Sequence, residues 1–348
     1  MTSNASYETL TSAVTVAEDF RDQVKGRNIL ITGVGPSGLG EATMLALAAQ
    51  SPNLITVTGR SIAKVNESIA KAKAAYPDVN IKPLVLDLSS LASVRKAADE
   101  FLATPENLDI LINNAGVMNI ATRTLSVDGF EMQFATNHIG HFLFTNLIMP
   151  KILAAAAASP AKGAVRIINV SSDGHKANPI RFSDWNWEGL DIVPEEEKGD
   201  VESLKMVDTK DLSFKTYTPW AAYGQSKAAN VLFTVELTRR LFEKHGVLSL
   251  TLHPGGIQTA LQRHVPDELM HKWLVIYKDY VTWKNADQGS STTLVAALDP
   301  KLNEWTEGTG YYLNNCQFDV PKEWAVDPEA AKKLWTLTEK IVGQQFDY

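Results

Sequence analysis

Tyr223 and Lys227 stand four positions apart in Tyr223-Gly224-Gln225-Ser226-Lys227. On a helix that spacing sets both side chains on one face, and Pro219, just upstream, suits the first turn of such a helix. A free phenol has a pKa of about 10 and exchanges protons poorly at neutral pH. A neighbouring ammonium stabilises the phenolate and draws the group toward the useful range. The pair therefore reads as an acid/base couple, although an exposed tyrosine and lysine on a helix surface would have the same spacing.

A different chemistry is written in Thr32-Gly33-Val34-Gly35-Pro36-Ser37-Gly38-Leu39-Gly40, which follows the apolar run Asn28-Ile29-Leu30-Ile31. Glycines between a strand and a helix let backbone N–H groups approach a pyrophosphate at the positive end of the helix. The glycines count in two ways. Gly33, Gly35 and Gly38 fit G-x-G-x-x-G, whereas Gly33, Gly38 and Gly40 fit a longer pattern. Pro36 has no N–H, so a cradle would take its donors from Ser37, Gly38, Leu39 and Gly40. The next apolar run ends Thr56-Val57-Thr58-Gly59-Arg60, with Lys64 one turn on. A carboxylate there would accept from a ribose 2′-hydroxyl, but a guanidinium suits a 2′-phosphate. NADP(H) is favoured over NAD(H). Asp87 and Leu88, at the end of the third run, are placed to meet the adenine end.

The elements that must position these groups follow from periodicity. Short runs at 28–32, 54–58, 81–86, 108–112, 165–170 and 248–252 are rich in Ile, Val and Leu. They lack polar alternation, as strands buried on both faces do. Helix-period stretches such as 41–50, 62–75 and 94–103 alternate with them. The expectation is a single α/β domain with a doubly wound parallel sheet and ligands beyond its strand C-termini. Two segments break the rhythm. Residues 185–218 turn polar and acidic, through Glu195-Glu196-Glu197-Lys198 and Asp208-Thr209-Lys210-Asp211, and read as a surface insertion with a solvated charged face. In 265–284 an apolar stripe of Leu269, Trp273, Ile276, Tyr277 and Tyr280 recurs at helical spacing and could cover a pocket. Ala331, Leu334, Trp335, Thr338, Ile341 and Val342 mark an amphipathic closing helix.

The composition narrows the function classes. With 45% hydrophobic and 21% charged residues the chain is that of an ordinary globular protein. A net charge of -7 offers no basic footprint for nucleic acid. The single cysteine, Cys316, excludes an intramolecular disulfide framework and reads as buried rather than reactive. His138 and His141 have no third ligand beside them, so packing or capping is expected and no metal. No signal-peptide pattern and no long apolar run is present, so a cytoplasmic chain without a membrane span is expected.

Around the Tyr–Lys couple the chain resembles the short-chain dehydrogenase/reductase family. The motifs stand in that family's order. They are the glycine loop, Asn113-Asn114-Ala115-Gly116, Asn137-His138-Ile139-Gly140-His141-Phe142, Asn169-Val170-Ser171-Ser172, the couple itself, and His253-Pro254-Gly255-Gly256-Ile257-Gln258-Thr259. The retinol dehydrogenase and WW-domain oxidoreductase branch is the most similar, through Ser226-Lys227-Ala228-Ala229-Asn230 and Gly310-Tyr311-Tyr312-Leu313. The resemblance implies a Rossmann-type domain over 26–348 after an N-terminal extension 1–25, with a substrate lid at about 260–285.

It also implies roles. Tyr223 is the general acid in carbonyl reduction and the base in alcohol oxidation, and Ser172 polarises the substrate oxygen while Ser171 points away. Lys227 lowers the tyrosine pKa and holds the nicotinamide ribose, and Asn137 anchors a water that links Lys227 to solvent. Asn114, Ala115 and Gly116 pass the adenine ribose, and Ile257 and Thr259 meet the carboxamide and pyrophosphate. The implied reaction interconverts an alcohol and a ketone or aldehyde on a small apolar substrate. A homodimer through the long helices of Asn137 and Tyr223 is also implied, unless the insertion blocks that face.

The chain departs from the family at three points. The glycine loop is one residue longer than the family's, Ser172 and Tyr223 are 51 positions apart, and the N-terminal membrane anchor that the branch often carries is not expected here. Trp185 and Trp187 could line the pocket or pin the insertion. A cofactor-binding sensor, or a dehydratase or epimerase using Asp173 and His175, remain alternatives.

Overall fold

The computed structural model describes the chain from Met1 to Tyr348 except residues 160, 208, 210, 277, 279 and 280. Its first half alternates strand and helix. Two short helices, α1 (Ala13–Asp19) and α2 (Arg21–Val24), precede β1 (Asn28–Ile31). Then come α3 (Leu39–Ala48), β2 (Leu54–Gly59), α4 (Ile62–Ala75), β3 (Ile81–Val85), α5 (Leu91–Leu102) and β4 (Ile110–Asn113). After α6 (Met132–Phe134), α7 (Gly140–Leu147) and α8 (Met149–Ala158) the chain enters β5 (Val165–Val170). The second half has α9 (Val201–Met206), the long α10 (Pro219–His245), β6 (Val247–His253), β7 (Gly256–Ile257) and α11 (Asp267–Ile276). It closes with β8 (Trp283–Lys284), α12 (Ala286–Leu298), the hairpin β9 (Tyr312–Asn314) and β10 (Gln317–Phe318), and α13 (Pro328–Val342).

The main sheet runs β10-β9-β6-β5-β4-β1-β2-β3, parallel except for β10, and β7 pairs separately with β8. Between β1 and β4 the strand order reverses, which opens a crevice beyond the strand ends. The central strands read as expected, with bounds shifted by a residue or two. Strands β4 and β5 are buried along their whole length. Each fully buried Val, Leu or Ile contributes roughly 1.5–3 kcal/mol, so the strands without polar alternation are those covered on both faces. The β9–β10 hairpin is an addition that periodicity missed, because its strands are only three and two residues long.

Two segments pack differently from the sequence expectation. The first 25 residues are built into the body, where Tyr7, Ala13, Val16, Ala17 and Val24 join one core cluster and α1 lies against α3 and α12. The acidic segment carries its own small core of Trp187, Val193, Leu204 and Phe214 packed on Ala221 and Ala222 of α10. Its charge run is only partly solvated: Glu195 and Glu196 are exposed, but Glu197 is buried and accepts hydrogen bonds from Ser183. Asp208 and Lys210 of the second run lie outside the described residues. Neither tryptophan lines the pocket. Trp187 is buried under the Arg181 guanidinium (4.1 Å to the ring), and Trp185 packs on Phe130 and Phe134.

The face of α7 and α10 is covered by α13 and the C-terminus rather than by the insertion. Trp335 and Phe346 meet Phe142 at 4.9 and 5.8 Å, and the Tyr348 hydroxyl donates to the Asn146 side chain at 2.8 Å. Among the described residues no single helix is long and apolar enough to cross a membrane.

Candidate active site

Tyr223 and Lys227 lie near the start of α10, where Pro219 occupies the first turn. Tyr223 and Lys227 are both buried on the helix face that meets the end of β5. From that end comes Ser172, whose hydroxyl accepts from the Gly174 N–H at 3.0 Å and lines the same cavity as the phenol. Ser171 turns the other way and donates to the Lys227 carbonyl at 2.8 Å. Two glycines make the approach possible. A Cβ on Gly174 would stand 2.7 Å from Cε1 of Tyr223, and one on Gly224 would stand 2.8 Å from the Gly174 oxygen. Because the insertion folds beside α10, Ser172 and Tyr223, 51 positions apart, line one cavity.

The electrostatics correct one expectation. Burial pushes the Tyr223 phenol up to about 12, against a smaller downward pull from the neighbouring Ser172. Burial likewise brings the Lys227 ammonium down to about 7. Desolvation penalises both charged forms, and it outweighs any help that the lysine gives the phenolate. Lys227 Nζ is 5.8 Å from the centre of the tyrosine ring and donates to the Val170 carbonyl at 2.9 Å.

Asn137 sits in a π-helical turn, Ala135–Ile139, that interrupts the run from α6 into α7. Such turns shift backbone groups out of the regular ladder. The Asn137 amide donates to the Val117 carbonyl (2.9 Å) and the Ser226 hydroxyl (2.8 Å), and its oxygen accepts from the Val117 N–H (2.8 Å). Its backbone carbonyl meets His141 Nδ1 at 3.1 Å. The other ring nitrogen of His141 meets Thr32 Oγ1 at 2.9 Å, and that oxygen accepts the Asn114 and Ala115 N–H groups. With two donors already aimed at it, the Thr32 hydroxyl gives its own proton to His141 Nε2. Nδ1 then carries the ring proton to Asn137 (tautomer assigned from this network). Burial holds His141 neutral, down to about 4. A chain of hydrogen bonds thus ties the glycine loop to the turn of Asn137. His138 is a packing residue bonded to Thr338 at 2.9 Å.

The glycine loop resolves in favour of the longer pattern. Gly33 has φ +72°, and a Cβ on it would stand 2.6 Å from Ala115 Cα. One on Gly40 would stand 2.7 Å from the Gly33 oxygen and 2.8 Å from the Asn114 amide. Gly35 has open space around it. Gly33→Ala is therefore expected to lower stability by about 1–3 kcal/mol, and Gly35→Ala to leave it unchanged. Urea denaturation of the two variants checks this, and equal losses would refute the assignment.

The cradle is narrower than the sequence suggests. Ser37 takes a left-handed backbone (φ 60°) and gives its N–H to the buried Glu41 carboxylate at 3.1 Å, while Gly38 N–H goes to the Gly35 carbonyl. No side chain caps the first turn of α3, so Leu39, which lines the cleft, is left to meet an anion.

Two cavities meet along this edge of the sheet. One, of about 520 Å³, is lined by the glycine loop, Arg60, Lys64, Asp87 and Leu88, with Ala115 deeper in. The other, of about 370 Å³, holds Ser172, Tyr223 and Lys227. Leu39, Asn114, Gly116, Thr259 and Leu261 line both. Of the predicted residues, Ile257 lines the second cavity, while Ser37 and Gly40 line neither. The second cavity is walled by Trp273 of α11, by Trp220 and Trp283, and by Met206 and Val207 of the acidic segment. Trp273 packs with Met118, Val207, Tyr223 and Val265, while Tyr277 and Tyr280 lie outside the described residues. A Cβ on Gly116 would meet Asn137 Oδ1 at 3.2 Å and Lys227 Nζ at 3.6 Å. The glycine-lined groove, the uncapped helix start and the cationic far end together fit a dinucleotide.

The remaining candidates have structural employment. His175 Nδ1 meets the Ser172 carbonyl at 2.6 Å and its Nε2 accepts from the Lys322 N–H. Burial would raise the Asp173 carboxyl, yet His253, Lys176 and Tyr312 hold it at about 2. Cys316 is buried, and burial pushes its thiol up. No group of three or more His, Cys, Asp or Glu side chains could hold a metal among the described residues. Sequence reasoning missed Thr32, Gly174, His253 and Arg263. A basic residue four positions after Thr259 was the available signal for the last.

Comparison with known proteins agrees with this arrangement. The family model described as short chain dehydrogenase matches residues 27–183. The chain is 35% identical over 335 residues to "Short-chain dehydrogenase TIC 32 A, chloroplastic" from Brassica napus, covering 95% of this chain and 93% of that one. It is 34% identical over 332 residues to human retinol dehydrogenase 13, covering 92% and 86%. Among solved structures, an uncharacterized Mycobacterium paratuberculosis protein is 30% identical with a TM-score of 0.63, covering 93% and 96%. An NADPH-bound carbonyl reductase from chicken fatty liver shares the fold at 20% identity and a TM-score of 0.58, covering 86% and 100%. With its sheet order, its Ser–Tyr–Lys cluster and relatives that match over nearly their whole length, the chain belongs to the short-chain dehydrogenase/reductase family.

Proposed function

We propose that this oxidoreductase interconverts an alcohol and a ketone or aldehyde on a small apolar substrate with NADP(H). The observation that carries the proposal is the placing of Ser172, Tyr223 and Lys227 in one cavity, which shares its wall with the cleft of Arg60 and Lys64. When bound, the nicotinamide supplies or accepts the hydride. The chain's own residues handle the proton. Tyr223, kept as a neutral phenol by burial, donates to the carbonyl oxygen in reduction and takes the proton back in oxidation. Ser172 donates a second hydrogen bond to the same oxygen, so charge developing there meets two fixed donors. Lys227 would hold the nicotinamide ribose, and Asn137 would anchor the route by which protons return. The tryptophan walls and the lid over 260–285 exclude water from the transfer.

The dehydratase or epimerase reading needs a further proton donor near Ser172. Asp173 is held ionised and both ring nitrogens of His175 are engaged, so the oxidoreductase reading is preferred. A panel of aldehydes and ketones, with NADPH and NADH consumption followed by absorbance, tests it. No turnover of any carbonyl, or faster turnover with NADH, would count against it. Gly174→Ala is expected to displace the tyrosine ring and lower kcat by about 10²-fold, with NADPH affinity unchanged. Unaltered kcat would show that the ring tolerates the shift.

A further inference from the structure

We infer that Arg263 completes a 2′-phosphate site begun by Arg60 and Lys64, and that this contact fixes the wall shared by the two cavities. The inference rests on the NADP(H) reading and assigns part of that specificity to the substrate side of the cleft. Arg60 ends β2 and Lys64 lies in the first turn of α4, whereas Arg263 arrives from a 3-10 turn, Ala260–His264, beyond β7. All three line the cofactor cleft. None has a carboxylate within ion-pair distance among the described residues, although Glu67 and Asp87 line the same cleft. Asp87 is engaged by the N–H and hydroxyl of Ser89. Arg263 uses one donor on the Ala260 carbonyl at 2.8 Å and keeps the rest. Burial, and then the charge of Arg60, lower its pKa, so the two guanidinium groups feel each other across the gap. A phosphate dianion between them would replace that repulsion with charge-assisted hydrogen bonds.

The turn that carries Arg263 is tied together by side-chain hydrogen bonds. Thr259 and Gln262 cap it reciprocally, with Thr259 N–H donating to Gln262 Oε1 at 2.7 Å and Leu261 N–H donating to Thr259 Oγ1 at 3.3 Å. Gln262 Nε2 also donates to the Ile257 carbonyl at 2.7 Å. Leu261 and Gln262 line the catalytic cavity, and Val265, bonded back to Gln262, packs in one cluster with Tyr223 and Trp273. Arg263 cannot be held in place without holding this wall. The 2′-phosphate, far from the chemistry, thereby fixes the surface that receives the substrate.

The test uses fragments that lack nicotinamide. The full chain is titrated calorimetrically with adenosine 2′,5′-bisphosphate and with 5′-AMP, and hydrogen exchange is followed over 256–276 in each case. The wild type should prefer the bisphosphate by at least about tenfold. Arg263→Ala should lose most of that preference while binding 5′-AMP as the wild type does, which also reports that it is folded. Arg263→Lys should recover part of it. Exchange over 256–276 should slow with the bisphosphate in the wild type and not in Arg263→Ala.

If Arg263→Ala keeps the preference while Arg60→Ala loses it, the inference falls and the NADP(H) reading stands. If the wild type does not discriminate, both fall. If the preference depends on Arg263 but exchange is unaltered, the coupling to the wall is overturned.

Discussion

Tyr223→Phe is expected to lower kcat by about 10²–10⁴, with cofactor affinity and Tm at wild-type values. The substitution removes one oxygen from a ring that stays wedged beside Gly174 and Trp220. The lost hydroxyl leaves little behind it, because Ser172 still accepts from the Gly174 N–H. Loss of turnover would therefore report chemistry and not folding. The rate with the best carbonyl of the panel, set beside a calorimetric melt, gives both quantities. Near-normal turnover would move the proton donor elsewhere in the cavity, and His253, which borders it, would be the next residue to test.

Lys227→Met should abolish turnover and, unusually, stabilise the fold at neutral pH. In the unfolded chain the ammonium holds its proton up to about pH 10.4, but burial brings it to about 7 in the folded state. Between those values the unfolded state binds a proton that the folded state does not, so unfolding is favoured and stability rises with pH. The penalty is largest at and below about pH 7 and fades as pH approaches about 10. Methionine fills similar space without the charge. The Val170 carbonyl also keeps a donor, the Asn230 amide at 3.3 Å. The melting temperature of the variant should exceed that of the wild type at neutral pH by a margin that narrows on titration to alkali. A variant that melts lower at neutral pH, or a margin that widens in alkali, would mean that contacts of the lysine outweigh its desolvation. A buried lysine that costs stability marks a group retained for its work on the ligand.

Much of this was legible in the residues. Tyr223 and Lys227 could be paired by spacing alone, since four positions on one helix leave no geometric freedom. Arg60 followed from its place after a strand, and Ser172 from the family pattern. Other roles depend on contacts between distant segments. Thr32 and His141 are 109 positions apart and meet only because β1 and α7 pack over the same sheet edge. Gly174 matters because α10 brings the tyrosine ring against it. Arg263 belongs to no motif, and it lines the cofactor cleft with Arg60 only because the turn that bears it folds there. The acidic segment was misjudged for the same reason: its charges are visible in the sequence, whereas the apolar side that walls the cavity is defined by what it packs on.

The sequence by itself determined the doubly wound sheet, the cofactor crevice and the Ser–Tyr–Lys set, because these rest on local period, helix spacing and short motifs. Only the tertiary structure decided which glycines are obligatory, since Gly33 and Gly40 are excluded from a Cβ by Ala115 and by the Gly33 carbonyl, while Gly35 faces open space. It also decided the direction of the Tyr223 and Lys227 shifts, because desolvation depends on everything that surrounds a group and not on its neighbours in the chain.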